Sequence, residues 1–427
     1  MKVLPNRTRP LLLAAVFAGA VAACDESLES GLACPALCPE QPAAVRDTTI
    51  FAVALDTMVG GFPPLGTEAE LALTYRPDTL ETSVIVRYDS LPESFRHVNV
   101  PDDSTIERVD SAFIKLRVSR SDTLGPPITV EVFNVDTVTA GEDTSATVLG
   151  PLFIPSRLVG TRTFTGVEYR DSLIVPIDTQ FVLDRIQLPP DSVRRLRLGI
   201  RIRSPQSAEI QVFSSNFGAA PPLLYLRVSP DTVNVPAIQM GPMSLTPQNR
   251  AVAADLADFQ LISFGPAPPP PEVLRVGGIP ARRVYMRFSI PEDIIDSSSI
   301  IRATLLLTQR SVRDAPRALD TMAIQALRIH ASAVVTDIAK ALLFITLGPD
   351  STLVVPAENA VRTVEIIDLV KAWRLADTAI TPRAIALRSA TEGIDGRFVD
   401  FFSNEAPADV RPRLVLTYAP RPAPGLP

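Results

Sequence analysis

Val84-Ile-Val-Arg-Tyr-Asp-Ser-Leu-Pro92 and Val284-Tyr-Met-Arg-Phe-Ser-Ile-Pro291 are the stretches on which the fold is decided. In both, apolar residues fall at every second position, an Arg precedes an aromatic ring, and a Pro closes the run. A period of two is the spacing of a β-strand with one buried face. Pro brings no amide donor to a ladder, so it marks where such a strand stops.

The flanking residues extend the match. Val109-Asp-Ser-Ala112-Phe-Ile114-Lys-Leu116 corresponds to Ile300-Ile-Arg-Ala303-Thr-Leu305-Leu-Leu307, with the same apolar spacing from the Ala. Asp171-Ser-Leu-Ile-Val-Pro176 parallels Asp350-Ser-Thr-Leu-Val-Val-Pro356 with one insertion, and Ile200-Arg-Ile-Arg203-Ser204 parallels Ile385-Ala-Leu-Arg388-Ser389. Val212-Phe213-Ser214 answers Phe401-Phe402-Ser403, and Leu224-Tyr-Leu-Arg-Val228 answers Leu414-Val-Leu-Thr-Tyr418. Any one match is weak, because alternation is common to all strands. Six in the same order indicate a tandem duplication.

Short strands that alternate apolar with polar and end at Pro, Asp or Ser bury one face and wet the other, as antiparallel sheets do. Several of them per unit predict an all-β chain of two tandem antiparallel β-sandwich domains of jelly-roll type, over 47–229 and 230–419, with a tail at 420–427. Composition agrees: 427 residues suit two domains, and 41 Pro against 20 Gly suit many strand ends and few long helices. Only Val334 to Leu343 and Ile366 to Leu375 carry helical spacing. They are expected as short crossover helices of the second unit, with no clear equivalent in the first.

The N-terminus reads as an address. Lys2, Arg7 and Arg9 precede an unbroken apolar run, Leu11 to Ala23, too short to span a bilayer, which takes about 20 residues. Val21-Ala-Ala-Cys24 resembles the lipobox of bacterial lipoproteins, so 1–23 is expected to be a signal peptide and Cys24 the acylated residue. Residues 24–46 then form a flexible tether, and Cys34 and Cys38 an even pair expected as a small-loop disulfide in an oxidising compartment. The chain is thus expected to be exported and lipid-anchored, periplasmic or at the cell surface, with the membrane as its first partner.

The second unit resembles the DNRLRE (disaggregatase-related) domain family. The resemblance rests on Leu274-Arg-Val-Gly277, Val284 to Phe288 and Ile300 to Leu307 at its start. At its close it rests on Ile366-Ile-Asp-Leu-Val-Lys-Ala-Trp373, Ala384-Ile-Ala-Leu-Arg388, Phe401-Phe-Ser-Asn-Glu-Ala406 and Arg411-Pro-Arg-Leu-Val-Leu-Thr-Tyr418. It covers about 232–419, and the first unit joins it only through the internal repeat. What it implies is a sandwich similar to carbohydrate-binding modules on secreted and surface proteins of microbes, with no established reaction.

Chemistry-bearing residues are scarce. The chain has two His, one Trp and three Cys, and shows no Gly-x-Ser-x-Gly elbow, His-Glu-x-x-His helix, phosphate loop or dinucleotide fingerprint. His97 and His330 fall in non-equivalent places. No enzymatic activity, cofactor or metal is expected; Asp102-Asp103 and Glu292-Asp293 in matching loops read as solvated acids rather than calcium ligands. A net charge of −6 gives no basic field for nucleic acid. Arg, far more frequent than Lys, is spread along the strands and marks no patch. If a sugar is bound, exposed rings must stack on it; Trp373, Tyr75 and Tyr169 are the candidates for such a platform. The expected function is a non-catalytic structural or adhesive role in the cell envelope, with a partner protein or an envelope polysaccharide as ligand. The alternative is a carbohydrate-binding module of a polysaccharide-handling system.

Overall fold

The computed structural model describes residues 45–51, 53–96, 103–121, 125–137, 143–169, 171–189, 192–217, 220–229, 237–244, 256–265, 268–311, 321–329, 344–345, 351–356, 358–375, 383–394 and 396–421. Cys24, Cys34, Cys38, His97, His330, Asp102 and the helix expected over Val334 to Leu343 lie outside these residues.

Two large antiparallel sheets carry the fold, one of 11 strands and one of 12. In the first lobe, Leu80–Asp89 is the central strand and Arg108–Ser121 the long one. The long strand pairs with Leu223–Ser229 and Ser172–Ile177 over its first part, then with Ala208–Phe213 beyond a register shift. One strand thereby links two layers, and the apolar positions of both point into one core that holds Val84, Val86, Tyr88, Ile114, Leu116, Leu224 and Leu226. In the second lobe Ala281–Phe288 and Ser298–Arg310 play the same parts around Val284, Met286, Phe288, Leu305, Leu307 and Trp373.

Strand pairing tests the duplication residue by residue. Ala112 lies opposite Leu226, and Ala303 opposite Leu416. Val84 lies opposite Ile200, and Val284 opposite Leu387, so the Ile200 match moves two residues, from Ile385 to Leu387. One correspondence is corrected. Val175 of Ser172–Ile177 faces Ile114, and the residue in that place in the second lobe is Val364, which faces Leu305. Ser351–Val354 lies instead against Met322–Ile329, where the first lobe sets Leu158–Phe164 on Ile128–Asn134.

This correction brings a helix with it. After Ile177 the first lobe continues into the helix Thr179–Ile186, capped by the Asp178 carboxylate, which accepts from Phe181 N at 2.7 Å. After Glu365 the second lobe continues into Ile367–Leu375. The first unit therefore has the crossover helix that its sequence did not disclose. Two turns with only Val182, Leu183 and Ile186 buried give a helical period too little length to stand out.

Several of the arginines along the strands are cross-strand partners of acids. Arg201 pairs with Glu131 at 2.8 Å and Arg275 with Asp400 at 2.7 Å, each pair directly opposite in the ladder.

Two strand pairs lie on the lobe that their place in the chain does not suggest. Arg46–Ile50 pairs with Arg413–Pro420 and Val53–Phe62 with Ala281–Phe288, so this N-terminal arm completes the second lobe. Ile238–Met240 pairs with Leu223–Ser229 and Asp258–Phe264 with Leu80–Asp89, so the middle arm completes the first. Among the described residues, the strands of the first lobe thus run from Glu70–Arg76 to Asp258–Phe264, between strands of the second. No change of pairing partner coincides with the boundary expected at 229/230. The described residues belong to one compact unit, Val45–Pro427.

The repeat explains the exchange. The two arms meet equivalent strands in equivalent register: Met58 faces Val284 as Gln260 faces Val84. Each repeat's leading strands are received by the body of the other.

Candidate functional site

The three residues expected to form a ligand platform share no surface. Trp373 is 1% exposed in the second-lobe core, its ring tilted against Phe288 at 6.1 Å. Tyr169 is 2% exposed in the first-lobe core, and its hydroxyl donates to the Gly125 carbonyl at 3.0 Å. Tyr75 is half-buried, with the Arg203 guanidinium 5.0 Å from its ring centre. A stacking platform needs free ring faces, and these rings are covered. Aromatic rings bury large apolar areas, and Trp373 and Tyr169 spend theirs in the two cores.

The apolar surface that does face solvent is elsewhere. On the outer face of the first lobe, Phe113 and Tyr225 stack at 4.8 Å and 9° across neighbouring strands. Pro176 lies opposite Phe113 on the other side, and Leu223 and Ile174 flank Lys115 in the next row. Ile174 is exposed, while Phe113, Tyr225 and Leu223 are half-buried. Their neighbours along each strand, such as Ala112, Ile114, Leu224 and Val175, point into the core, so this row is solvent-facing by alternation. Each of the two rings spends one face on the other. No such row is legible in the sequence, because Tyr225 and Phe113, 112 positions apart, meet only through strand pairing.

A second concentration of polar groups marks the seat of the arms. Asp258 of the middle arm is buried, and its carboxylate accepts from Ser215 N and Ser215 Oγ, both at 2.7 Å. Ser214 fixes that corner: its amide donates to the Ala69 carbonyl and its hydroxyl to the Glu68 carbonyl, while it accepts from Asn216 N at 3.1 Å. The second lobe repeats the device. Asp56 of the N-terminal arm accepts from Asn404 N at 2.8 Å, and Ser403 donates to the carbonyls of Glu272 and Pro271. Each arm therefore carries an Asp that takes the amide following a corner Ser in the other repeat's body.

The two seats differ in how deeply a second acid is buried: Glu405, whose charge bears on Asp56, is exposed, whereas the first lobe encloses Glu68. Glu68 is buried beside Asp258, and its Oε2 has no hydrogen-bond partner. In the second lobe the equivalent place is Pro271. Burial pushes the Glu68 carboxyl up to about 7, with the Asp258 charge adding to the rise, and pushes Asp258 up to about 6. Asp56, less enclosed, is also raised by burial. The sequence held a signal for these acids, an Asp within the apolar runs Leu55-Asp-Thr-Met58 and Ala257-Asp-Phe-Gln260, repeated at nearly the spacing of the central strands.

Glu292 and Asp293 open the short helix Glu292–Ile295 and are exposed, and Asp103 starts a short strand paired with Ser94–Arg96. Among the described residues, no group of three or more His, Cys, Asp or Glu side chains is placed to hold a metal ion. No described helix is long and apolar enough to cross a membrane.

No protein-family description and no curated protein matches this chain. Among solved structures, it aligns with the VP2 subviral particle of infectious bursal disease virus at 10% identity, over 90% of this chain and 79% of that one, with a TM-score of 0.11. A structure reporting manganese lipoxygenase of Gaeumannomyces graminis and zonadhesin of Komagataella pastoris aligns at 9% identity, over 74% and 84%, also with a TM-score of 0.11. Likeness at this level carries no argument about fold or function.

Proposed function

We propose that this chain is an exported lipoprotein of the cell envelope, anchored through Cys24, with a non-catalytic structural or adhesive role. The observation that carries this reading is the exchange of arms. The segment that follows the tether becomes a strand at once, Arg46–Ile50, hydrogen-bonded along Leu414 to Tyr418 of the chain's last strand. Load arriving from the anchor is delivered to a ladder built into the second lobe. The two lobes are interlocked, the N-terminal arm seated on the second and the middle arm on the first. Such a body suits holding a binding surface in place, and the covered aromatic rings and cross-strand ion pairs are those of a scaffold.

The DNRLRE-like features of the second unit favour the same location. The alternative, a carbohydrate-binding module, draws its support from the Phe113–Tyr225 row with its flanking Pro176, Ile174 and Leu223. Its rings are half-buried and each has one face taken by the other, which favours the adhesive reading.

Two experiments test the proposal. Cys24→Ala is expected to move the protein from the membrane to the soluble fraction of cells; retention in the membrane would defeat the anchor. The chain from Val45 onward is then assayed against a panel of envelope polysaccharides. Saturable binding lost in Tyr225→Ala would favour the carbohydrate-binding alternative, and hydrolysis of any of the polysaccharides would overturn a non-catalytic role.

A further inference from the structure

We infer that the middle arm is a proton-controlled latch, in which the buried carboxyls of Asp258 and Glu68 hold Asp258–Phe264 on the first lobe while protonated and loosen it as they ionise. The geometry places two acids from separate elements in one enclosed corner. Asp258 is 1% and Glu68 3% exposed, and neither forms an ion pair among the described residues. Ser215 satisfies Asp258 from the turn after Ala208–Phe213, whereas Oε2 of Glu68 is left without a donor.

The other groups around the corner are neutral or already engaged. Tyr88 of the central strand donates to the Pro222 carbonyl at 3.2 Å. Gln260 of the arm accepts from Ala72 N at 3.3 Å, and Asn216 donates to the carbonyls of Gly66 and Glu68. Arg87 of the central strand is held by Asp89 at 2.7 Å. Among the described residues an ionised pair here has no counter-charge, and burying uncompensated charge is costly.

The sign follows from the raised carboxyls. The seated arm binds more protons than the free one, because both acids are pushed up, to about 6 and about 7, from ordinary values near 4. Seating is therefore strongest below the ordinary carboxyl range and weakens as pH rises through 6 and 7. Release of the arm bares the Glu81 to Val86 edge of the central strand and the pocket of Ile85, Phe133, Val135 and Leu149 that receives Phe259 and Leu261. An open, apolar-backed sheet edge accepts another extended segment. The N-terminal arm supplies an internal comparison, because its seat has Pro271 in place of Glu68 and its own second acid, Glu405, is exposed rather than buried.

Hydrogen exchange of the full chain, read by mass spectrometry at pH 5 and pH 8 and corrected for intrinsic exchange rates, tests this. Protection of 256–264 is expected to fall about tenfold or more between the two, with a smaller change over 53–62. Glu68→Gln, which keeps the shape and cannot ionise, is expected to flatten most of the fall, and Asp258→Asn the rest. Equal protection of 256–264 at both pH values would overturn the latch. So would an unchanged pH dependence in the Glu68→Gln, Asp258→Asn double variant.

Discussion

Phe62→Ala tests the exchange of arms, because it sits early in the chain and acts on a lobe whose body begins some 200 residues later. Phe62 ends the N-terminal arm, is 3% exposed, and packs with Val59, Ala281, Tyr285, Leu327 and Ala386. The Arg283 guanidinium lies 3.8 Å from its ring centre. Truncating a buried Phe to Ala costs about 3–5 kcal/mol, and losing a desolvated cation–π contact adds about 1–2 kcal/mol. With a urea slope of about 2 kcal/mol per molar, the midpoint of the second lobe should fall by about 2–3.5 M. The chain has one Trp, and Trp373 lies in the second-lobe core, so its fluorescence reports that lobe. Leu261→Ala on the middle arm is the mirror experiment. Leu261 is 2% exposed against Ile85 and Phe133, and its loss should weaken the first lobe while sparing the Trp373 transition. An unchanged Trp373 midpoint in Phe62→Ala would refute the assignment of the arm to the second lobe.

Trp373→Ala should destabilise the second lobe by about 3–5 kcal/mol in the same titration followed by circular dichroism. Trp373→Phe should cost far less, because the indole N–H has no hydrogen-bond partner to lose; equal losses would mean the ring is not packed as described. Arg283→Ala strips the partner from Glu392, which Arg283 meets at 2.6 and 2.7 Å with both side chains under 10% exposed. Leaving that charge buried and unpaired should cost about 3–5 kcal/mol, and a midpoint shift under about 0.5 kcal/mol would show the pair to be solvent-screened.

Much of the fold was legible because its signals are local or periodic. Alternation around Val84 and Val284 identified strands, and the shared spacing from Ala112 and Ala303 aligned the repeats in a way that strand pairing bears out at Leu226 and Leu416. The match of Asp171 to Pro176 with Asp350 to Pro356 misled because both are edge-strand segments with the same polar start and Pro end. Similar local patterns there serve different ladders. Of the candidate site little was legible. Trp373, Tyr75 and Tyr169 were chosen for ring chemistry, and ring chemistry does not distinguish a platform from a core.

The sequence by itself determined that the chain is built of short antiparallel strands, that they come in two copies, and that each strand has one face to bury. Those properties depend on side-chain period and on Pro, which act over a few residues. Only the tertiary structure decided which body each arm completes. A strand's alternation says that it needs a partner edge and an apolar backing, and the equivalent edges of Leu80–Asp89 and Ala281–Phe288 offer the same ones. The structure likewise decided that Glu68 and Asp258, 190 positions apart, share a buried corner in which neither pairs with a cation among the described residues. Burial and counter-charge are properties of the folded surroundings, so a buried acid and a solvated one look alike until the lobes close around them.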